Sequence, residues 1–111
     1  MNNIHNFLTV FTLTMMLTPS HAGTATGNVT GIFMHSPDVV MFGAGTITNV
    51  AACASATQQW AIKLSDPAGK GFLAILLSAQ AQGKSVTVHG YTNTCRDWAD
   101  RELPSYIVIR D

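Results

Sequence analysis

Strand, strand, strand, helix, strand, strand is the element order that this sequence predicts. It implies a mainly β chain with one helix, a five-stranded OB-fold barrel (β-β-β-α-β-β) stapled by one disulfide. Short alternating apolar runs bounded by Gly, Pro, Ser and Asp mark the strands. One proline-initiated, glycine-terminated stretch of helical periodicity lies between the third and fourth of them. The only two cysteines, Cys53 and Cys95, fall in the connections before strand three and after strand four, so a bridge between them would tie two loops together.

Residues Met1 to Ala22 read as a signal peptide. An apolar run from Phe7 to Leu17 is broken by Thr18-Pro19-Ser20, and small residues at Ser20 and Ala22 place cleavage after Ala22. The n-region Met1 to Asn6 departs from the usual pattern in having no Lys or Arg. That apolar run is about half the roughly 20 residues a spanning helix needs, so no stable membrane anchor is expected. The chain is therefore expected to be secreted or periplasmic, with residues 23–111 as a single domain.

That domain of roughly 90 residues would bury only about 60 to 65% of its unfolded surface, which makes covalent help valuable. In an oxidising compartment one cysteine pair is expected to form one disulfide. Joining Cys53 to Cys95 closes a loop of about 43 residues, worth roughly 4 kcal/mol in the chain-entropy model. Charged residues make up 11% of the chain and the net charge is zero. With only six Lys and Arg, scattered along the chain, the sequence offers no basic patch for nucleic acid or anionic lipid. A nearly uncharged surface suits neutral ligands or self-association.

The first strand is predicted over Gly23 to Met34, with an irregularity at Gly27 or Gly31. His35-Ser36-Pro37-Asp38 forms a turn. Val39 to Ile47 gives the second strand, with Val40, Phe42 and Ala44 on one face and Gly43 and Gly45 permitting curvature. Thr57 to Leu64 gives the third, where Trp60, Ile62 and Leu64 alternate with Ala61 and Lys63. These three read as an antiparallel meander.

Ser65-Asp66-Pro67 places a capping side chain before a proline at the first helical position, so a helix is predicted from Pro67 to Gln82. Phe72, Leu73, Leu76, Leu77 and Gln80 recur at helical spacing, and Ile75 and Ala79 widen the apolar stripe. Gly83 stands where a left-handed cap ends the helix, with Lys84 just beyond. Ser85 to Tyr91 is the fourth strand, residues 92–103 a polar connection, and Pro104 to Arg110 the last strand.

Cys53, Trp60, Phe72-Leu73-Ala74-Ile75-Leu76-Leu77-Ser78-Ala79-Gln80-Ala81, Gly83-Lys84-Ser85-Val86-Thr87-Val88 and Cys95 together resemble a family of small secreted bacterial proteins. These are similar to the pentameric B subunits of subtilase-type toxins. The resemblance spans about half of the mature chain, mostly at core and cap positions. It implies an OB-fold, a homo-oligomer (a pentamer), a glycan ligand and a catalytic A-subunit-like partner. In the toxin subunits the sugar contacts lie partly in an N-terminal aromatic and Ser/Asp stretch. Here that region is Gly27-Asn28-Val29-Thr30-Gly31, without aromatics, so no sugar-binding residue transfers. The Asn28-Val29-Thr30 sequon has no meaning in a bacterial setting.

Catalytic chemistry finds few candidates. His35 and His89, the mature chain's only histidines, read as structural, since a metal site or an acid-base dyad would need a carboxylate or a nucleophile placed with them. Ser36 and Ser78 lack Gly-x-Ser-x-Gly surroundings. Asp97, Asp100 and Glu102 lack the glycine turn and ligand alternation of a calcium loop and read as a solvated loop, so no metal or other cofactor is expected. Arg96, Asp97 and Trp98 set an aromatic plane beside hydrogen-bonding groups in the connection where an OB-fold presents ligand, with Tyr91 nearby. The competing reading has Trp98 pack over the disulfide or the barrel end, and Trp60 and Tyr91 share that ambiguity. The expected function is a non-enzymatic binding module recognising cell-surface glycans. A structural envelope protein that binds another polypeptide through a strand edge is the second reading. A small hydrolase, the third, lacks an assembled nucleophile and base.

Overall fold

The computed structural model describes residues 21–111, so the predicted leader lies outside the described residues apart from His21 and Ala22. Within them the chain forms β1 (Thr24–Asn28), β2 (Thr30–Met34), β3 (Val39–Gly43), β4 (Trp60–Lys63), α1 (Pro67–Gln82), β5 (Ser85–Gly90) and β6 (Pro104–Ile109). The described strands make two three-stranded antiparallel sheets, ordered β1-β5-β6 and β2-β3-β4. This corrects the expectation of a single five-stranded barrel.

The difference begins at Val29. Its side chain is buried in the core, which interrupts the predicted first strand and divides it between the sheets. β1 pairs with β5 from Thr24 opposite His89 to Asn28 opposite Ser85. β2 pairs with β3, with a register shift between Thr30 and Phe33 around Gly31, whose φ of 57° is a left-handed conformation that glycine adopts freely. An isolated parallel bridge between Trp60 and Glu102 links the start of β4 to the residues leading into β6.

β3 and β4 are several residues shorter than the sequence predicts, while β5 and β6 each end one residue early. β3 stops at Gly43, and beyond it Gly45 takes a φ of 81° where a Cβ would overlap the Thr26 carbonyl oxygen. β4 starts at Trp60 because the preceding backbone bonds elsewhere. Ser55 and Ala56 N–H donate to the Asp100 carbonyl (3.1 and 3.3 Å), and the Thr57 carbonyl accepts from Ile47 N–H (2.7 Å).

The helix matches its predicted span. Asp66 has extended φ and ψ of −78° and 130° and accepts from Ala68 N–H, Pro67 opens the helix, and Gly83 at φ 64° closes it, donating to the Gln80 carbonyl (3.2 Å). The face buried against the sheets consists of Gly69, Leu76 and Ala79, with Phe72, Leu73 and Ile75 packed beside them. Leu77, assigned to that face from spacing, is 49% exposed, and Gln80 faces solvent too.

The main core gathers Val40, Phe42, Trp60 and Ile62 from one sheet and Ala25, Val86, Val88 and Ile107 from the other, under Leu76 and Ala79 of α1. On the opposite face of β3 and β4, Val39, Met41 and Ala61 form a second cluster covered by Trp98. β3 is thus buried on both faces. No helix among the described residues is long and apolar enough to cross a membrane.

Candidate functional site

The disulfide joins Cys53 to Cys95 as expected and clamps the β3–β4 connection onto the β5–β6 connection. Hydrogen bonds reinforce the clamp on both sides of it. Cys53 N–H donates to Asn93 Oδ1 (3.0 Å), and the Ser55 hydroxyl donates to Asp100 Oδ2 (3.2 Å). Arg101 Nε and Nη2 both donate to Gln59 Oε1 (3.1 and 2.9 Å). A guanidinium only donates, so the Gln59 carbonyl must face it, and the Gln59 amide nitrogen is left to bond elsewhere.

The segment held in this way forms the wall of a groove of about 490 Å³, lined by Thr30, Gly31, Gly43 and residues 55–59. Gly43 keeps the floor open, because a Cβ there would stand 2.8 Å from Thr30 Oγ1 and 2.9 Å from the Gln58 carbonyl. The lining consists of hydroxyls, carboxamides and backbone, and no charged side chain contributes. A volume of that size lies within the range of about 300 to 1,000 Å³ typical of small-ligand sites.

A second hollow of about 130 Å³, below that range, sits at the start of α1 between Asp66, Phe72, Tyr91, Arg96 and Pro104. Here the proposed ligand residues part company. Tyr91 and Arg96 line this hollow, and Arg96 pairs with Asp66 and, at 2.9 Å, with Asp97 Oδ1. These carboxylates, Asp97 first, raise the Arg96 pKa further above its ordinary value. Asp97 is buried beneath it, and Trp98 turns to the other side, with its ring centroid 4.1 Å from that of His35. None of the four lines the larger groove. Trp60 is wholly buried in the main core.

Sequence reasoning misses the groove residues Ser55, Thr57, Gln58 and Gln59, and meets Thr30 only in a stretch from which no sugar contact transfers. The signal for residues 55–59 is the uncharged polar run directly after Cys53, held by the staple at the end of a sheet. The acidic trio also needs correction: Asp97 and Glu102 are buried, and only Asp100 fits a solvated loop. The three are tied to separate partners, respectively Arg96, the Gly23 N–H and Arg101. No cluster of three or more metal-ligating side chains occurs among the described residues. His89 stacks on Tyr106 with centroids 4.4 Å apart and lies 3.3 Å from Thr24 Oγ1, and neither histidine lines the groove.

Hydrogen bonding from Arg101, with a smaller contribution from Ser55, holds the Asp100 carboxyl below its ordinary pKa. The Ser65 hydroxyl and N–H do the same for Asp38. A carboxyl depressed in the folded state adds stability in full above its unfolded pKa of about 3.9 and loses it as pH falls through the lower native value. Stability limited by these two groups should hold from neutral pH to about pH 5 and decline below about pH 4. Acid titration of thermal stability checks this, and Asp100→Asn is expected to remove part of the decline. Compared with protein-family models, curated proteins and solved structures, the chain finds no match, so the groove is read from its own chemistry.

Proposed function

We propose that this protein is a secreted, non-enzymatic binding module that recognises a neutral, hydroxyl-rich ligand, a glycan of a cell surface, in the groove between Thr30 and residues 55–59. The observation that carries the reading is the lining. Hydroxyls and carboxamides without a charge match the alternating donors and acceptors of a neutral sugar, and the staple holds them in place before ligand arrives. The disulfide is compatible with an oxidising compartment outside the cytoplasm.

In this reading the two sheets are the halves of an OB-type barrel. The direct run of chain from β1 through Val29 into β2 supports it, as does the parallel bridge between Trp60 and Glu102 where the halves would meet. Binding on a glycan array, weakened about tenfold by Gln59→Ala through the loss of one hydrogen-bonding group, is the expected result. Trp98→Ala should leave that binding in place and lower stability, since Trp98 covers the Val39, Met41 and Ala61 cluster. An array without signal for the intact protein sinks the glycan reading.

A second reading is favoured by the surface of β2. This edge strand exposes Phe33 and Met34 (40% and 51%), a combination that suits pairing with another chain. A ring of copies would use it, as would an envelope partner. The mass in solution separates the two, and a monomer that co-purifies with one polypeptide favours the envelope role.

A further inference from the structure

Glu102 is wholly buried, and its surroundings point to a partner that the described residues do not supply. Its Oε1 accepts from the backbone N–H of Gly23 at 2.7 Å, while Oε2 has no hydrogen-bond partner among the described residues. No ion pair involving Glu102 occurs among the described residues. A buried carboxylate held by one neutral donor is an expensive arrangement, because desolvation is only partly repaid. Gly23 is also the residue that follows the predicted cleavage site after Ala22.

We propose that Glu102 is the receptor site for the α-ammonium group of Gly23, created when a signal peptidase hydrolyses the Ala22–Gly23 bond. The oxygen of water adds to the Ala22 carbonyl carbon and the C–N bond breaks. The proton shed by the new Ala22 carboxylic acid joins the Gly23 amine, leaving a carboxylate on the leader and an ammonium on the domain. That ammonium keeps the 2.7 Å contact to Oε1, carries two further N–H donors that the peptide nitrogen lacks, and turns a single neutral hydrogen bond into a buried ion pair.

The site is shaped for this. A Cβ on Gly23 would overlap Glu102 Oε2, so glycine is required at the new terminus. A Cβ on Gly90 would stand 2.9 Å from Oε1 and 3.2 Å from the Trp60 ring, so a second glycine frames the carboxylate. Gly90 N–H donates to the Gly23 carbonyl (2.9 Å), and Thr24 exchanges backbone hydrogen bonds with Thr48 (3.0 and 2.9 Å), which together fix where the nitrogen lies. Among the described residues, cleavage gives up two hydrogen bonds: Asn93 N–H to the His21 carbonyl (2.8 Å) and Asn49 Nδ2 to the Ala22 carbonyl (3.3 Å).

The inference rests on the export part of the proposed function and is independent of the groove. The intact mass of the secreted protein tests the cleavage position, and a terminus other than Gly23 overturns the proposal. The ion pair is tested by a cycle comparing the chain that starts at Gly23 with one that retains Ala22, each with and without Glu102→Gln. Retaining Ala22 should lower the melting temperature by about 5 °C when Glu102 is present and by little in the Glu102→Gln background. Equal shifts in both backgrounds overturn the ion pair. Should Glu102→Gln fail to fold, acylation of the unsubstituted mature protein decides. The Gly23 amine should react at least about tenfold more slowly in the folded protein than after denaturation, as a buried, paired ammonium does, and equal rates overturn the proposal.

Discussion

Replacing both Cys53 and Cys95 by serine should lower the unfolding free energy by about 4 kcal/mol, close to the chain-entropy estimate for a loop of this length. The cysteines are 42 residues apart, so the bridge removes a large set of extended conformations from the denatured ensemble. For a domain of this size the loss corresponds to roughly 20 °C in melting temperature. The hydrogen bonds of Asn93, Asp100 and Arg101 still join the two connections without the bridge, so the folded state should keep its backbone while the groove wall at residues 55–59 loosens. Denaturant unfolding of the double serine variant measures the loss. A change under about 1 kcal/mol would mean that these hydrogen bonds, and not the covalent link, hold the loops. On the proposed function, ligand affinity should fall along with stability, because the staple orders the groove.

What the sequence makes legible follows the range of the interactions involved. The helix from Pro67 to Gln82 is set by neighbours in the chain, the Asp66 cap, the proline and the left-handed Gly83, and all are local signals. The cysteine pairing was equally plain, since only two cysteines exist. The division into two sheets was not legible. It depends on Val29 turning into a core built from distant strands, and alternation along the first strand carries no trace of that. Composition also misled at the connection after β5. Asp97, Glu102 and Leu103 lie in a polar run, yet all three are buried, because the disulfide and the Trp60–Glu102 bridge draw that run inward. The same fold-back sends Trp98 to the Val39, Met41 and Ala61 cluster and brings the uncharged run 55–59 to the groove.

Gly69→Ala should destabilise the protein by about 3 kcal/mol, at the upper end for overpacking and opposite in sign to helix propensity. In an exposed helix interior, alanine in place of glycine gains about 0.5 to 1 kcal/mol. Gly69 lies in the first turn of α1, where a Cβ would overlap the Lys63 carbonyl oxygen and stand 2.8 Å from its carbon. The obstacle is backbone and it is pinned. Lys63 O accepts from Asp66 N–H (3.2 Å), Leu64 N–H donates to the Asp38 carbonyl (2.9 Å), and Ser65 N–H donates to Asp38 Oδ1 (2.7 Å). Relief therefore requires the first turn of the helix to lift, and Asp66 stands in that turn, capping the helix and holding Arg96. Gly71→Ala is the internal control, because a Cβ there meets open space within 4 Å and should give the ordinary propensity gain. Opposite signs for these two substitutions in thermal unfolding would show that the β4–α1 corner is fixed by close backbone approach. Matching gains would mean that the corner yields, and Arg96 would then be free to leave Asp66.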